Sequence, residues 1–265
     1  MPDKSRRRVQ VADPFAPVRV SPVRVNGSPV MNKGIEIMND DGEWECINIH
    51  SSGYQLVPNE VMASVTQEIL GGSDLIWSKV KEVWTGRYFA QLFSSNGIVE
   101  VPEVGDALCL GLRAENSYDG SCQFRLVLQA FVLSCKNGLV SPRHFRSFSM
   151  KHSSNNEFNT GDAVHTLSAG LDLLEQLTPR IASLTKIPLT IDLLSQVASE
   201  TRLPKRDWGF ITETLHGVKD LWGLMQAITN RLTHHGRGRA GLLTQEAIGD
   251  YFLYSHAPKR LSEST

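Results

Sequence analysis

Asn116-Ser117-Tyr118-Asp119-Gly120-Ser121 is a turn sequence set between two apolar runs. Asn, Asp, Gly and Ser are the residues that turns prefer, because they tolerate left-handed backbone or bond their own main chain. The run before it, Ala107–Leu112, and the run after it, Gln123–Ser134, both read as strands. A turn at Ser117–Ser121 lays those two strands antiparallel. The oxygens of Asn116, Asp119 and Ser121 could also gather round a cation, but calcium wants six or more oxygen ligands and few others are near in sequence. Turn chemistry therefore accounts for the stretch.

Working outward, Arg87–Ser94 alternates Tyr88, Ala90 and Leu92 against Phe89, Gln91 and Phe93, as a further strand does, and Asn96-Gly97 reads as a turn. Upstream, Ile35–Ile37 and Trp44–Ile49 flank Asn39-Asp40-Asp41-Gly42, a hairpin signal. Pro58 and Asn59 open a helix that ends at Gly71-Gly72, and Asp74 to Val83 reads as a second short amphipathic segment. Downstream of Pro142 the pattern turns helical. Ala163–Leu184 carries a leucine stripe that Pro179 interrupts or kinks, and Leu189–Thr201, Lys219–His235 and Leu242–Tyr254 complete the series. The fold class expected is α+β: a twisted antiparallel meander with helices on one face and a C-terminal helical region. Residues 1–32, rich in Pro and Arg, read as a basic disordered arm. The ordered domain is expected over 33–254, β-rich to 150 and helical from 160, with a tail at 255–265.

The chain has 265 residues, 41% hydrophobic and 21% charged, enough to bury a core without disulfides. Its cysteines, Cys46, Cys109, Cys122 and Cys135, form no CxxC pair, and the last three sit among apolar neighbours as buried thiols do. No apolar run reaches membrane-spanning length and no signal peptide opens the chain, so a soluble cytosolic protein is expected.

A net charge of −1 hides an uneven distribution. The segment from Asn26 to Leu139 holds roughly twice as many carboxylates as cations, whereas the cations downstream cluster. One cluster is interleaved with rings: Arg143, His144, Phe145, Arg146, Phe148 and Lys151. Charge holds phosphate and rings stack on bases, which is how single-stranded nucleic acid is bound. An edge strand with both Phe residues in the core explains the same run. A second is Arg202, Lys205 and Arg206, and the third, Arg231, His234, His235, Arg237 and Arg239, ends the clearest helix. Cations there complement a helix C-terminus, and a Gly-Arg-Gly-Arg stretch also lets backbone approach an anion. GxSxG, HExxH, GxGxxG and GxxxxGK[ST] are missing, so no catalytic residue, metal site or cofactor is nominated.

Several stretches line up in order: Tyr54-Gln55-Leu56-Val57-Pro58-Asn59, then Asn116–Ser121, then Ser134-Cys135-Lys136-Asn137-Gly138, then Lys151-His152, then Asp220 to Asn230. In this the chain resembles the phage/plasmid-like bacterial family catalogued as domain of unknown function nine hundred and thirty-two. It departs from that pattern at Asp220 or Leu221, at Gln226 and at His234-His235. The resemblance implies a protein of phages, plasmids or integrative elements, near recombination and replication genes, and makes the cytoplasm expected for it a bacterial one. The function expected is binding of nucleic acid, single-stranded DNA first, without enzymatic activity and possessing an annealer's homo-oligomeric form. Arg143, Arg146, Lys151, Arg231, Arg237 and Arg239 would meet phosphates, and Phe145 and Phe148 would stack. The alternative is an element-encoded factor that binds a host protein.

Overall fold

A computed structural model describes residues 11–133, 137–139, 147–150, 160–201, 203–235 and 238–255. Two antiparallel sheets carry the fold. The small one is a meander of β1 (Val18–Val25), β2 (Ser28–Met38) and β3 (Trp44–His50). Helix α1 (Asn59–Gly71) leads into the large sheet. That sheet runs in sequence order through β4 (Trp77–Trp84), β5 (Tyr88–Glu100), β6 (Ala107–Ser117) and β7 (Phe124–Val132). Two short strands, β8 (Asn137–Leu139) and β9 (Ser147–Met150), share the free edge of β7. Six helices of regular α type follow: α2 (Thr160–Ser168), α3 (Gly170–Leu184), α4 (Ile191–Thr201), α5 (Lys205–Glu213), α6 (Leu221–His235) and α7 (Gly238–Asp250). A π-helical turn at Tyr251–Ser255 ends the described chain. The protein is α+β, with an antiparallel meander and a helical C-terminal region. Among the described residues no helix is long and apolar enough to cross a membrane.

Local chemistry explains most of these elements. Asn39-Asp40-Asp41-Gly42 turns β2 into β3, with Gly42 at φ +79° and Asn39 N–H donating to Glu43 O. Pro58 precedes α1 in extended backbone, and its carbonyl accepts from Met62 N–H. The turn at Ser117–Ser121 lays β7 antiparallel to β6 with Leu112 opposite Leu128.

Strict alternation gives the large sheet two unlike faces. Leu108, Leu110, Leu112 and Ala114 of β6, with Leu126, Leu128, Ala130 and Val132 of β7, join one apolar core with α1, α3 and α6. Gly170 begins α3 where a Cβ would lie 2.3 Å from a Leu110 methyl, so the glycine permits the closest helix–sheet approach. The opposite face carries Cys109, Gly111, Arg113 and Glu115 against Phe131, Gln129, Val127 and Arg125. Helix α7 lies on this second face as well, where Leu242 packs with Tyr88, Cys109 and Cys122.

Four expectations are corrected. Residues 18–32 are strand and turn: Val18 and Val20 alternate about Arg19, Val23 and Val25 about Arg24, with a register shift between Pro22 and Arg24, and Asn26-Gly27, at φ 49° and 81°, forms a two-residue hairpin turn. Residues 1–10 lie outside the described residues. The segment after α1 is strand β4, paired with β5 through Trp77–Trp84. Asn96-Gly97 is no turn but an irregularity inside β5, between Ser94 and Ile98; a Cβ at Gly97 would meet Leu171 of α3 at 2.6 Å. The leucine-striped segment breaks at Ala169 into two helices, and α3 runs on through Pro179.

Candidate functional site

The Asn116–Ser121 turn is held residue by residue. Asn116, fully buried at the end of β6, donates from Nδ2 to Val57 O at 2.8 Å and to Asn59 Oδ1 at 3.0 Å. The Tyr118 hydroxyl accepts from Asn59 N–H at 2.8 Å. Ser117 Oγ accepts from Cys122 N–H and donates to Cys122 O. Asp119 Oδ1 accepts from Ser121 N–H, and Gly120 takes φ +73°. The small sheet holds the same turn from outside, since Asn48 Nδ2 donates to Asp119 O at 2.8 Å and His50 Nε2 lies 3.0 Å from Tyr118 O. The Tyr54–Asn59 and Asn116–Ser121 segments are therefore one interlocked polar joint between the sheets and α1.

Beside this joint opens a cavity of about 400 Å³. Its lining includes His50, Tyr54, Gly120, Cys122, Arg125 and Arg239. The His50 and Tyr54 rings stack with centroids 3.8 Å apart and planes within 8°. A Cβ at residue 120 would reach His50 Cε1 at 3.0 Å, so glycine there lets the turn close on the ring. Burial, with the Glu115 charge adding to it, pushes the Cys122 thiol up to about 12, so it is no nucleophile at neutral pH.

Beneath the cavity lies an ionic lattice. Arg113, fully buried on β6, reaches Glu115 on its own strand and Glu246 on α7. Arg125 on β7 binds the same two carboxylates, with Nη2 2.9 Å from Glu246 Oε1. The Tyr88 hydroxyl donates to Glu115 Oε2 at 2.6 Å. Burial pushes the Glu115 carboxyl up, but Arg113, Arg125 and that hydroxyl outweigh it and hold it below the ordinary carboxylate range. Two cations and two anions balance inside the lattice. Arg239, one turn before Leu242 and two before Glu246 on α7, adds a positive charge beyond the balance. Its Nε is shielded from solvent and has no hydrogen-bond partner among the described residues.

The eight residues nominated from the sequence fare differently. Arg143, Phe145, Arg146, Lys151 and Arg237 lie outside the described residues. Phe148 sits on β9, half-buried and packed against the main core. Arg231 is engaged: its guanidinium lies 2.8 Å from Asp207 Oδ1 and 4.2 Å from the centre of the Phe210 ring. Of the three that are described, only Arg239 lines the cavity. His50, Tyr54 and Arg125 were not nominated. The lattice beneath them does have a signal: Arg113 and Glu115 place charge at alternate positions of a buried strand, and Arg239, Leu242 and Glu246 share one helical stripe.

The family described as Domain of unknown function (DUF932) matches residues 47–249. The chain belongs to this family. No curated protein and no solved structure matches the chain. In DUF932 terms the match begins within β3 and ends within α7, so it takes in both walls of the cavity, His50 at one end and Arg239 at the other.

Proposed function

We propose that this DUF932 chain is a non-enzymatic nucleic-acid-binding protein whose first ligand is single-stranded DNA. The observation that carries the reading is the cavity where Arg239 and Arg125 stand beside the stacked His50–Tyr54 pair. A guanidinium whose Nε lacks a partner suits a phosphate oxygen, and an aromatic wall suits a base face. The basic-aromatic segment Arg143–Lys151 extends the same chemistry in sequence. The proposed setting is recombination or replication of a phage, plasmid or integrative element, with strand annealing by a homo-oligomer. A fluorescence-anisotropy titration of labelled single-stranded oligonucleotide at low and moderate salt tests it. Salt-weakened binding is expected; no binding at low salt, or binding indifferent to salt, overturns the reading.

A second reading has its own observation. Strand β3 pairs with β2 over Lys33–Met38, so among the described residues the β1–β2 hairpin beyond Lys33 is a two-stranded ribbon with no third strand. Its tip exposes Val25, Val30 and Met31, the last at 82%. Such an apolar ribbon suits a protein partner, for instance a host factor. Pull-down after nuclease treatment separates the readings: a stoichiometric protein partner without retained nucleic acid favours the second.

A further inference from the structure

A second cavity, of about 540 Å³, lies at the other end of the same sheet face, away from the Gly120 turn. Its floor is mainly apolar: Leu92 of β5, Cys109 of β6 and Phe131 of β7, with the Ser94 side chain of β5 beside them. Cys109 and Phe131 are opposite each other in register. Gly111, one inward position further along β6, makes the floor flat. A Cβ there would lie 2.5 Å from Phe131 Cε2, so only glycine lets the ring lie across the neighbouring strand. The rim is different in kind. Lys79, Val80 and Lys81 of β4 face Thr233 and His234 at the end of α6.

Lys81 is held in place there, its Nζ donating to Thr233 O at 2.6 Å. One bond uses one of an ammonium's three donors. Burial lowers its pKa, so the charge is kept at a cost that a nearby anion would offset. Lys79 carries a second ammonium, 2.9 Å from Glu82 and half-exposed. An apolar floor with a few convergent polar groups is the pattern of small-molecule sites, and the volume falls in their range. It contrasts with the first cavity, where guanidiniums and a ring pair surround a turn.

We propose that this cavity binds a small organic anion with a flat apolar body, its charged group at Lys81 and its body over Phe131, Leu92 and Cys109. The site is independent of the nucleic-acid reading, because no described residue lines both cavities. Nothing covalent is involved.

The test uses the full-length chain and an anilinonaphthalene sulfonate probe. Saturable one-to-one enhancement of its fluorescence is expected on the folded protein. Naphthoate should displace the probe, and the neutral naphthylmethanol should need about tenfold more, since only the anion meets the ammonium. Val80 is 50% exposed at the rim, so Val80→Glu leaves the core intact while placing a carboxylate beside the anion. That variant should weaken naphthoate about tenfold and leave naphthylmethanol unchanged. Lys81→Met should do the same, with a thermal melt confirming that it folds. The proposal is overturned if probe binding does not saturate, if acid and alcohol displace it equally, or if Val80→Glu binds naphthoate as the parent does. Displacement by a single-stranded oligonucleotide would overturn it too, by making the cavity part of the nucleic-acid surface.

Discussion

The two faces of the large sheet come from the same strands, yet they are built on opposite principles. On one, β6 and β7 present Leu, Ala, Val and Phe124, and α1, α3 and α6 close over them. On the other, the alternate residues of those strands include Arg113, Glu115 and Arg125 beside Cys109 and Phe131, and helix α7 supplies Glu246 to balance the two guanidiniums. Apolar burial stabilises whatever shape fits well. A buried ion lattice contributes little net stability but penalises every arrangement that leaves one charge unpaired. The difference teaches that the first face holds the fold together, while the second holds α7, and with it Arg239, in one position over the Gly120 turn.

The comparison breaks most readily at Arg113. Arg113→Met leaves Glu115 and Glu246 buried short of a cation, and should lower unfolding stability by about 3–5 kcal/mol in urea denaturation. A loss under about 1 kcal/mol would mean that the lattice is solvated and the contrast between faces is false. Replacing Arg113 and Glu246 together by apolar residues should recover much of the loss, which a lone core defect would not do. On the apolar face, Leu112→Ala should cost about 3 kcal/mol by a different route, a cavity, and should leave the acid dependence of stability unchanged.

That acid dependence sharpens the contrast further. The Glu115 carboxyl is depressed in the folded chain, so its contribution is complete above its unfolded pKa, near the ordinary 4.3, and is lost as pH falls through the folded value. Glu115→Gln should flatten the stability curve below about pH 4 relative to the parent, while Leu112→Ala keeps the parental slope. A smaller effect, in rate alone, is expected for the thiols. Exposed Cys46 should react with iodoacetamide in the native state, while Cys122, with its thiol raised to about 12, should react about a thousandfold more slowly until Arg113→Met loosens α7.

What was legible in the sequence was what is local. The turns at Asn39–Gly42 and Ser117–Ser121 and the helix start at Pro58-Asn59 are written in residues whose backbone preferences act over a few positions. The β1–β2 hairpin runs against the sequence reading because proline and arginine composition outweighs a short valine pattern whose register is set by the Asn26-Gly27 turn and the pairing with β2. Asn96-Gly97 has turn chemistry, but β6 and Leu171 of α3 bind that backbone into a strand. Arg239 was legible as a cation after a helix. The partners that make it a site, His50, Tyr54 and Arg125, come from segments more than a hundred residues upstream, which no local pattern joins.

The central claim is that Arg239, left over after the lattice has balanced itself, is free to meet a phosphate. Its most direct test is the salt dependence of single-stranded DNA binding for the parent and for Arg239→Gln. The account predicts that the variant stays folded, binds several-fold more weakly at low salt, and loses about 0.7 from the slope of log affinity against log salt, the share of one phosphate contact. An unchanged slope with parental affinity would contradict it, and would place any nucleic-acid surface of this chain elsewhere.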